Sequence, residues 1–269
     1  MLELSLLFMA AGKSSRFGGG SKFLASIGPN KETLFEISFL QIIKHIHVKH
    51  IHLVLNHENN IEIIKEAKNI RYKYDLDFDI TANIQDIPKF REKPWGTGEA
   101  AASAWSYMKG PFLLLNSDDL YDEKTFEQIS KECDENKNYI IGYELGKTLK
   151  NKNKANRGFI EEKDGIVKAM KEKLNIERIF YNQSELETIF VSVNLFLLQP
   201  PVLMCLLELA ENFKKEHDSN LIEEALLPDF INKIINKDQM ELHLIKSKGE
   251  WNGITFKSDL TQIKKQINI

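Results

Sequence analysis

Leu6-Leu7-Phe8-Met9-Ala10-Ala11-Gly12-Lys13-Ser14-Ser15-Arg16-Phe17-Gly18-Gly19-Gly20-Ser21-Lys22 is the stretch on which the fold turns. Its apolar half reads as a strand buried on both faces, as in a parallel sheet. Its second half is a loop rich in backbone N–H groups that few bulky side chains cover. Glycines let such a loop adopt positive φ and bring its backbone close to a ligand. Successive inward N–H groups make an anion nest. Lys13, Arg16 and Lys22 add positive charge. The composition of the loop suits a polyphosphate. The simpler alternative is a Gly/Ser turn with solvated cations, so the rest of the chain has to decide.

Two phosphate-loop signatures are excluded. The Walker A spacing needs a second glycine five positions after Gly12, and Phe17 stands there. The dinucleotide fingerprint needs a glycine at position 14, which is Ser14.

The chain has 269 residues, enough for one large domain or two small ones. A net charge of −3 gives no electrostatic case for nucleic acid as a partner. Cys133 and Cys205 match no zinc spacing and fit a reducing compartment. No basic segment precedes the first apolar run, so no signal peptide is evident and a cytoplasmic location is expected. The most lipid-like stretch, 189–207, is broken by Ser192, Asn194, Gln199, Pro200 and Pro201, so no membrane span is expected.

Downstream of the loop, Thr33 and Glu36 have capping-box spacing ahead of a helix to about His45. Strands are expected at Ile51–Leu55 and Phe78–Ile84, with a helix from Asn59 or Asn60 to about Asn69 between them. This alternation implies a parallel sheet with helices on both faces. His45, His47, His50, His52 and His57 crowd this half. They spread over a helix end, a loop and a strand, with no carboxylate at ligand spacing, so no metal site is expected from them.

Three further stretches carry chemistry. Lys93-Pro94-Trp95-Gly96-Thr97-Gly98-Glu99 opens a helix on bare backbone, which favours anionic or carbonyl-bearing ligands. Pro111 to Tyr121 is an apolar strand ending in Asp118-Asp119, where ligands of open α/β sheets bind and Mg²⁺ finds a carboxylate. Adjacent side chains of an extended segment diverge, so one acid faces a metal and the other does not. Asp122 suits the cap of a helix from Glu123. The third is a hairpin over Gly158–Glu162 and Ile166–Met170, followed by Glu172-Lys173. The cationic run ahead of it, Lys147 to Arg157, reads as a solvated loop or as a cover for phosphates. Ile189–Leu198 reads as a buried strand, Pro201 opens a helix to about Lys215, a helix over 219–236 is interrupted by Pro228, and Met240–Ile245 is a strand. Ser258 and Asp259 suit the start of a closing helix.

Taken in order, the Ala-Ala-Gly loop, Pro-x-Gly-Thr, the strand-end Asp pair and Glu-Lys resemble the sugar-phosphate nucleotidyltransferases. The terminal stretch Trp251 to Leu260 resembles that family's last motif, but Gly253 and Thr255 stand where relatives carry a second metal-binding acid. The resemblance implies an α/β fold: one domain over 1–269 in three layers, with a mixed, mostly parallel central sheet. A nucleotide-binding half (1–120) would precede an acceptor-binding half (121–269). It implies catalytic roles for Arg16, Lys22 and Asp118, with Asp118 holding Mg²⁺. Ala10, Ala11, Gly12, Lys13, Ser14, Ser15, Pro94, Gly96 and Thr97 would bind the nucleotide, with Gln85 reading the base. Asp119, Arg157, Gly158, Glu172, Lys173 and Asn194 would bind the acceptor. The implied reaction joins a nucleoside triphosphate to a phosphomonoester, a sugar 1-phosphate first among them, with release of pyrophosphate. A glycosyltransferase using a sugar nucleotide, and a silent nucleotide or sugar-phosphate sensor, are the alternatives. Base, acceptor and oligomeric state are left open.

Overall fold

The computed structural model describes residues 1–12, 21–149, 154–254, 259–261 and 263–264. The first half alternates as its apolar pattern predicts: β1 (Leu2–Met9), α1 (Leu34–Ile43), β2 (Ile46–Leu55), α2 (Asn60–Lys73), β3 (Asp79–Ile84), α3 (Thr97–Ala102) and β4 (Phe112–Asn116). There follow β5 (Asp119–Tyr121), α4 (Glu123–Glu132), β6 (Asn138–Glu144), α5 (Leu145–Thr148), β7 (Ala155–Lys163), β8 (Ile166–Ile176) and α6 (Gln183–Thr188). The chain continues through β9 (Phe190–Leu198), α7 (Pro201–Glu216), α8 (Leu227–Asn236), β10 (Leu242–Lys246) and β11 (Trp251–Gly253).

Among the described residues, nine strands form one sheet in the order β3-β2-β1-β4-β9-β6-β10-β8-β7, and β5 pairs β11 in a separate ribbon. Pairing is parallel through β3, β2, β1 and β4, and between β6 and β10. Every pairing made by β9, β8 and β7 is antiparallel. The sheet is therefore mixed, and the expected predominance of parallel pairing holds for its first half only. The tight β7–β8 turn makes one antiparallel pair, and β9, which runs against β4, β6 and β7, makes three more. Asp164 (φ 54°) and Gly165 (φ 78°) make that turn with the positive φ it requires.

β1 divides the core. Leu4, Leu6 and Phe8 pack with Phe35 and Phe39 of α1, Ile63 of α2 and Phe126 of α4. Leu7 and Met9 pack with the alanines of α3, Leu203 of α7 and Phe230 of α8. Period-two alternation puts successive residues on opposite faces. Both faces are apolar, so the strand reads as a continuous hydrophobic run.

Local caps follow the sequence closely. Thr33 Oγ1 accepts from Glu36 N at 3.1 Å and Asp122 Oδ1 accepts from Lys124 N at 2.8 Å. The Glu36 carboxylate does not complete a capping box. It takes Lys73 Nζ at 2.6 Å and Tyr74 Oη at 2.7 Å instead. Pro228 does not interrupt a helix over 219–236 but stands in the first turn of α8, where its missing N–H has no partner to lose. Residues 220–227 lie along 91–98 instead. Among the described residues, no helix is long and apolar enough to cross a membrane.

Candidate functional site

β1 and β4 run parallel with Met9 opposite Asn116, so the loop after β1 and the residues after β4 leave the sheet side by side. Ser117 N donates to Met9 O at 3.2 Å. The loop entry is pinned by two buried amides that follow β2. Asn59 Nδ2 donates to Ala10 O at 2.9 Å and Asn56 Nδ2 to Ala11 O at 3.1 Å. Around Gly12 the space is open: a Cβ built there meets nothing within 4 Å. Lys13, Ser14, Ser15 and Arg16 lie outside the described residues.

Beyond the loop, Lys22 Nζ reaches Asp118 Oδ2 at 2.9 Å, with the Asp118 side chain 41% exposed and that of Lys22 14%. The two neighbouring aspartates diverge. Asp119 is buried, and its Oδ2 accepts from Asn116 Nδ2 at 2.9 Å and from Tyr121 Oη at 3.2 Å. Burial, with the Asp118 charge alongside, pushes the Asp119 carboxyl up to about 7, against the opposing pull of Asn116, Trp251 and Arg157. Burial also raises the Tyr121 phenol, so it stays a neutral donor.

β11 closes this corner, with Gly253 opposite Asp119 and Ile254 N donating to Asp118 O at 2.9 Å. A Cβ on Gly253 would stand 2.6 Å from the Trp251 ring and 3.2 Å from Asp119 Oδ1. The chain has no room for a second acid at this position unless Trp251 moves. The Arg157 guanidinium lies 4.6 Å from the Trp251 ring centre and donates to Thr148 O at 2.9 Å.

Asn194 sits where β9 changes register against β6, at φ 60°, a conformation that costs a non-glycine residue about 1–3 kcal/mol. The distortion turns Val193 O toward Asn116 Nδ2 and Tyr121 Oη, each at 3.3 Å, and brings Asn194 Nδ2 to 3.4 Å from Asn116 Oδ1. Asn194 and the Asp119 corner thus form one network.

On β8, Glu172 and Lys173 have different surroundings. Burial, with Asp229 of α8 next to it, pushes Glu172 up to about 7, and Arg157 opposes the shift. Burial likewise raises Asp229. Gly158 is opposite Glu172 in register, and a Cβ there would press on Pro228 and Ser192 at 3.2 Å. Lys173 Nζ instead lies 3.8 Å from the Phe159 ring centre and lines an open cavity of about 280 Å³ with Lys171, Phe190 and Lys246. Adjacent strand residues point apart, so Glu-Lys is split between two environments.

At the Pro94–Thr97 segment the bare backbone is covered from within the chain. Gly96 (φ +100°) has Ala225 O at 2.5 Å from a built Cβ, and Gly98 has the Phe230 ring at 2.8 Å. Thr97 Oγ1 accepts from Leu227 N at 3.0 Å. Gln85 is buried, and its amide donates to Gly96 O at 3.1 Å and Glu99 Oε2 at 2.6 Å. Both amide hydrogens are thereby used, which leaves the carbonyl oxygen.

The sequence assigns no role at the site to Asn56, Asn116, Tyr121 or Asp229, and it offers Asn59 only as a helix start, whereas its amide reaches Ala10 O. The available signal for Asn56 is an amide placed directly after an apolar strand. The clustered histidines are dispersed: His45 is next to Glu123, His47 next to Glu3 and His57 next to Asp86, whereas His50 and His52 bond Thr81. Among the described residues, no three His, Cys, Asp or Glu side chains gather as a metal cage.

No family model matches the chain. The bifunctional protein GlmU of Methanococcus maripaludis is 28% identical over 209 residues, 76% of this chain and 43% of that protein. The chain thus spans less than half the length of this curated relative. The inositol-1-phosphate CTP transferase from T. maritima superposes with a TM-score of 0.66 at 12% identity, over 98% of this chain and 96% of its own. A UTP-bound UGPase from Acinetobacter baumannii gives 0.64 at 12% identity, over 99% and 93%. The chain shares the fold of these two structures over nearly its full length.

Proposed function

We propose that the chain transfers a nucleotidyl group from a nucleoside triphosphate to a phosphomonoester. An acceptor phosphate oxygen attacks the α-phosphorus. The new P–O bond forms as the bond to the β-phosphate breaks, and pyrophosphate carries away the electron pair. The observation that carries this reading is Lys22 and Asp118 meeting at the carboxyl ends of β1 and β4. One structural neighbour is named an inositol-1-phosphate CTP transferase, and another holds UTP.

Little covalent help is needed from protein, so positioning and charge compensation dominate. Two unit charges about 4 Å apart at an effective dielectric near 20 repel by ~4 kcal/mol. Lys22, with Arg16, is assigned to the β- and γ-phosphates. The Asp118 carboxylate is open to solvent at this rim. Oxygen chemistry and access suit Mg²⁺, whose other positions water and phosphate oxygens would fill. When bound there, Mg²⁺ supplies neutralisation of the phosphates. Asp119 is already engaged by Asn116 and Tyr121 and serves to hold the corner. Gly158, Glu172 and Asn194 are assigned to the acceptor, a sugar 1-phosphate by preference. Glu172 accepts from hydroxyls when ionised.

The crowding at Gly253 favours a second reading, a catalytically silent binder, since it removes a second protein carboxylate. Pyrophosphate release from four triphosphates against a panel of sugar and alkyl phosphates, with Mg²⁺, separates the two. Release with one pair supports transfer. Thermal stabilisation by a triphosphate with no release across the panel supports the binder.

A further inference from the structure

We infer that Arg91 is a positioning residue that ties the nucleotide subsite to the acceptor subsite, an inference that rests on the proposed transfer reaction. Arg91 is buried at 6% exposure, and no motif singled it out. Its guanidinium lies 3.7 Å from the Trp95 ring centre. Nε donates to Lys93 O at 3.1 Å, Nη1 to Asn220 O at 2.6 Å and Nη2 to Glu223 O. One planar fork thus holds two segments about 130 residues apart, which a lysine cannot do with a single ammonium.

The segments then run together. Glu92 N donates to Leu221 O at 3.1 Å, Ala225 N to Trp95 O at 2.7 Å and Gly98 N to Ala225 O at 2.8 Å. Thr97 accepts from Leu227 N, and Gly96 admits Ala225 only because it lacks a side chain. One segment is 94–97, assigned to the nucleotide. The other leads straight into the first turn of α8, where Pro228 abuts Gly158 and Asp229 stands by Glu172. A shift at the nucleotide side therefore moves the residues that face the acceptor. Arg91 sits at the end of this zipper and closes it.

The test uses amide hydrogen exchange and steady-state kinetics on the full chain, with Arg91→Lys, Arg91→Met and, as a control on the exposed face of α2, Lys68→Met. The probe is whichever of the four common nucleoside triphosphates stabilises the wild type, with Mg²⁺. In the wild type and the control, the triphosphate slows exchange across 220–236. In both Arg91 variants the triphosphate still binds within about twofold, this protection is lost, and the acceptor KM rises at least about tenfold. Retained protection with an unchanged acceptor KM overturns the inference while leaving the transfer reaction standing. So does equal loss of triphosphate and acceptor binding in both variants, which marks a merely structural arginine. A wild type that binds no triphosphate overturns the transfer reaction and this inference with it.

Discussion

Lys22 Nζ lies 2.9 Å from Asp118 Oδ2 although 96 residues separate them in the chain. Each neutralises the other where β1 and β4 end. In the proposed reaction a triphosphate draws on Lys22 and a cation on Asp118, so the pair is exchanged for two ligand contacts. Lys22→Met and Asp118→Asn should each lower turnover by at least about 100-fold, ~2.7 kcal/mol in the barrier. Melting temperature should barely move, because a partly exposed pair is worth about 0–1 kcal/mol. Pyrophosphate release and a thermal melt on the same preparations check both halves of this expectation.

Tyr121 Oη and Asn116 Nδ2 are the donors that hold Asp119. Removing one leaves a buried carboxyl short of a partner, at a cost of about 1–3 kcal/mol. Tyr121→Phe should show that loss in denaturant unfolding at neutral pH. No loss at all would mean that Asp119 draws nothing from the phenol.

The glycines divide by what surrounds them. Gly96→Ala meets Ala225 O at 2.5 Å with φ at +100°, and Gly98→Ala meets Phe230 at 2.8 Å. Each should destabilise by about 1–3 kcal/mol. Gly12→Ala has nothing within 4 Å and should leave the melt within about 1 kcal/mol, with any loss falling on triphosphate affinity. Gly253→Asp should destabilise rather than restore metal binding, since Trp251 occupies its space.

His52 is fully buried, with Nδ1 at 2.8 Å from Thr81 Oγ1, Nε2 at 2.7 Å from Asn83 Oδ1, and Tyr107 stacked at 4.3 Å. Burial lowers it from 6.5 to about 4. Between those values the unfolded chain binds the proton and the folded chain does not, so stability falls as pH falls. The contribution is complete above pH 6.5 and about 3 kcal/mol smaller at pH 4. Unfolding free energies across this window should show the slope in the wild type and a flatter one in His52→Gln.

Much of this was legible residue by residue. The apolar run before Gly12, the Thr33 and Asp122 caps, the Asp164-Gly165 turn and the strand-end aspartates are set by neighbours a few positions away. Backbone sterics, cap hydrogen bonds and burial period act at that range. They placed β1, α1, α4, the β7–β8 hairpin and β4, and with them the candidate site's two landmarks, Gly12 and Asp118.

The remainder depended on partners distant in the chain. Residues 220–226 carry a helix-compatible pattern, yet Arg91, Glu92, Trp95 and Gly98 claim their backbone groups. Gly253 looked like a missing ligand until β11 paired with β5 and put Trp251 in the way. Glu172 and Lys173 read as one motif until strand alternation gave them separate environments. Local chemistry thus sufficed wherever a group finds its partner within a turn or two. Where the partner arrives from across the sheet, as for Lys22 with Asp118 or Arg91 with Asn220, only folding brings the two together, because pairing and burial are properties of the assembled sheet and not of the segment.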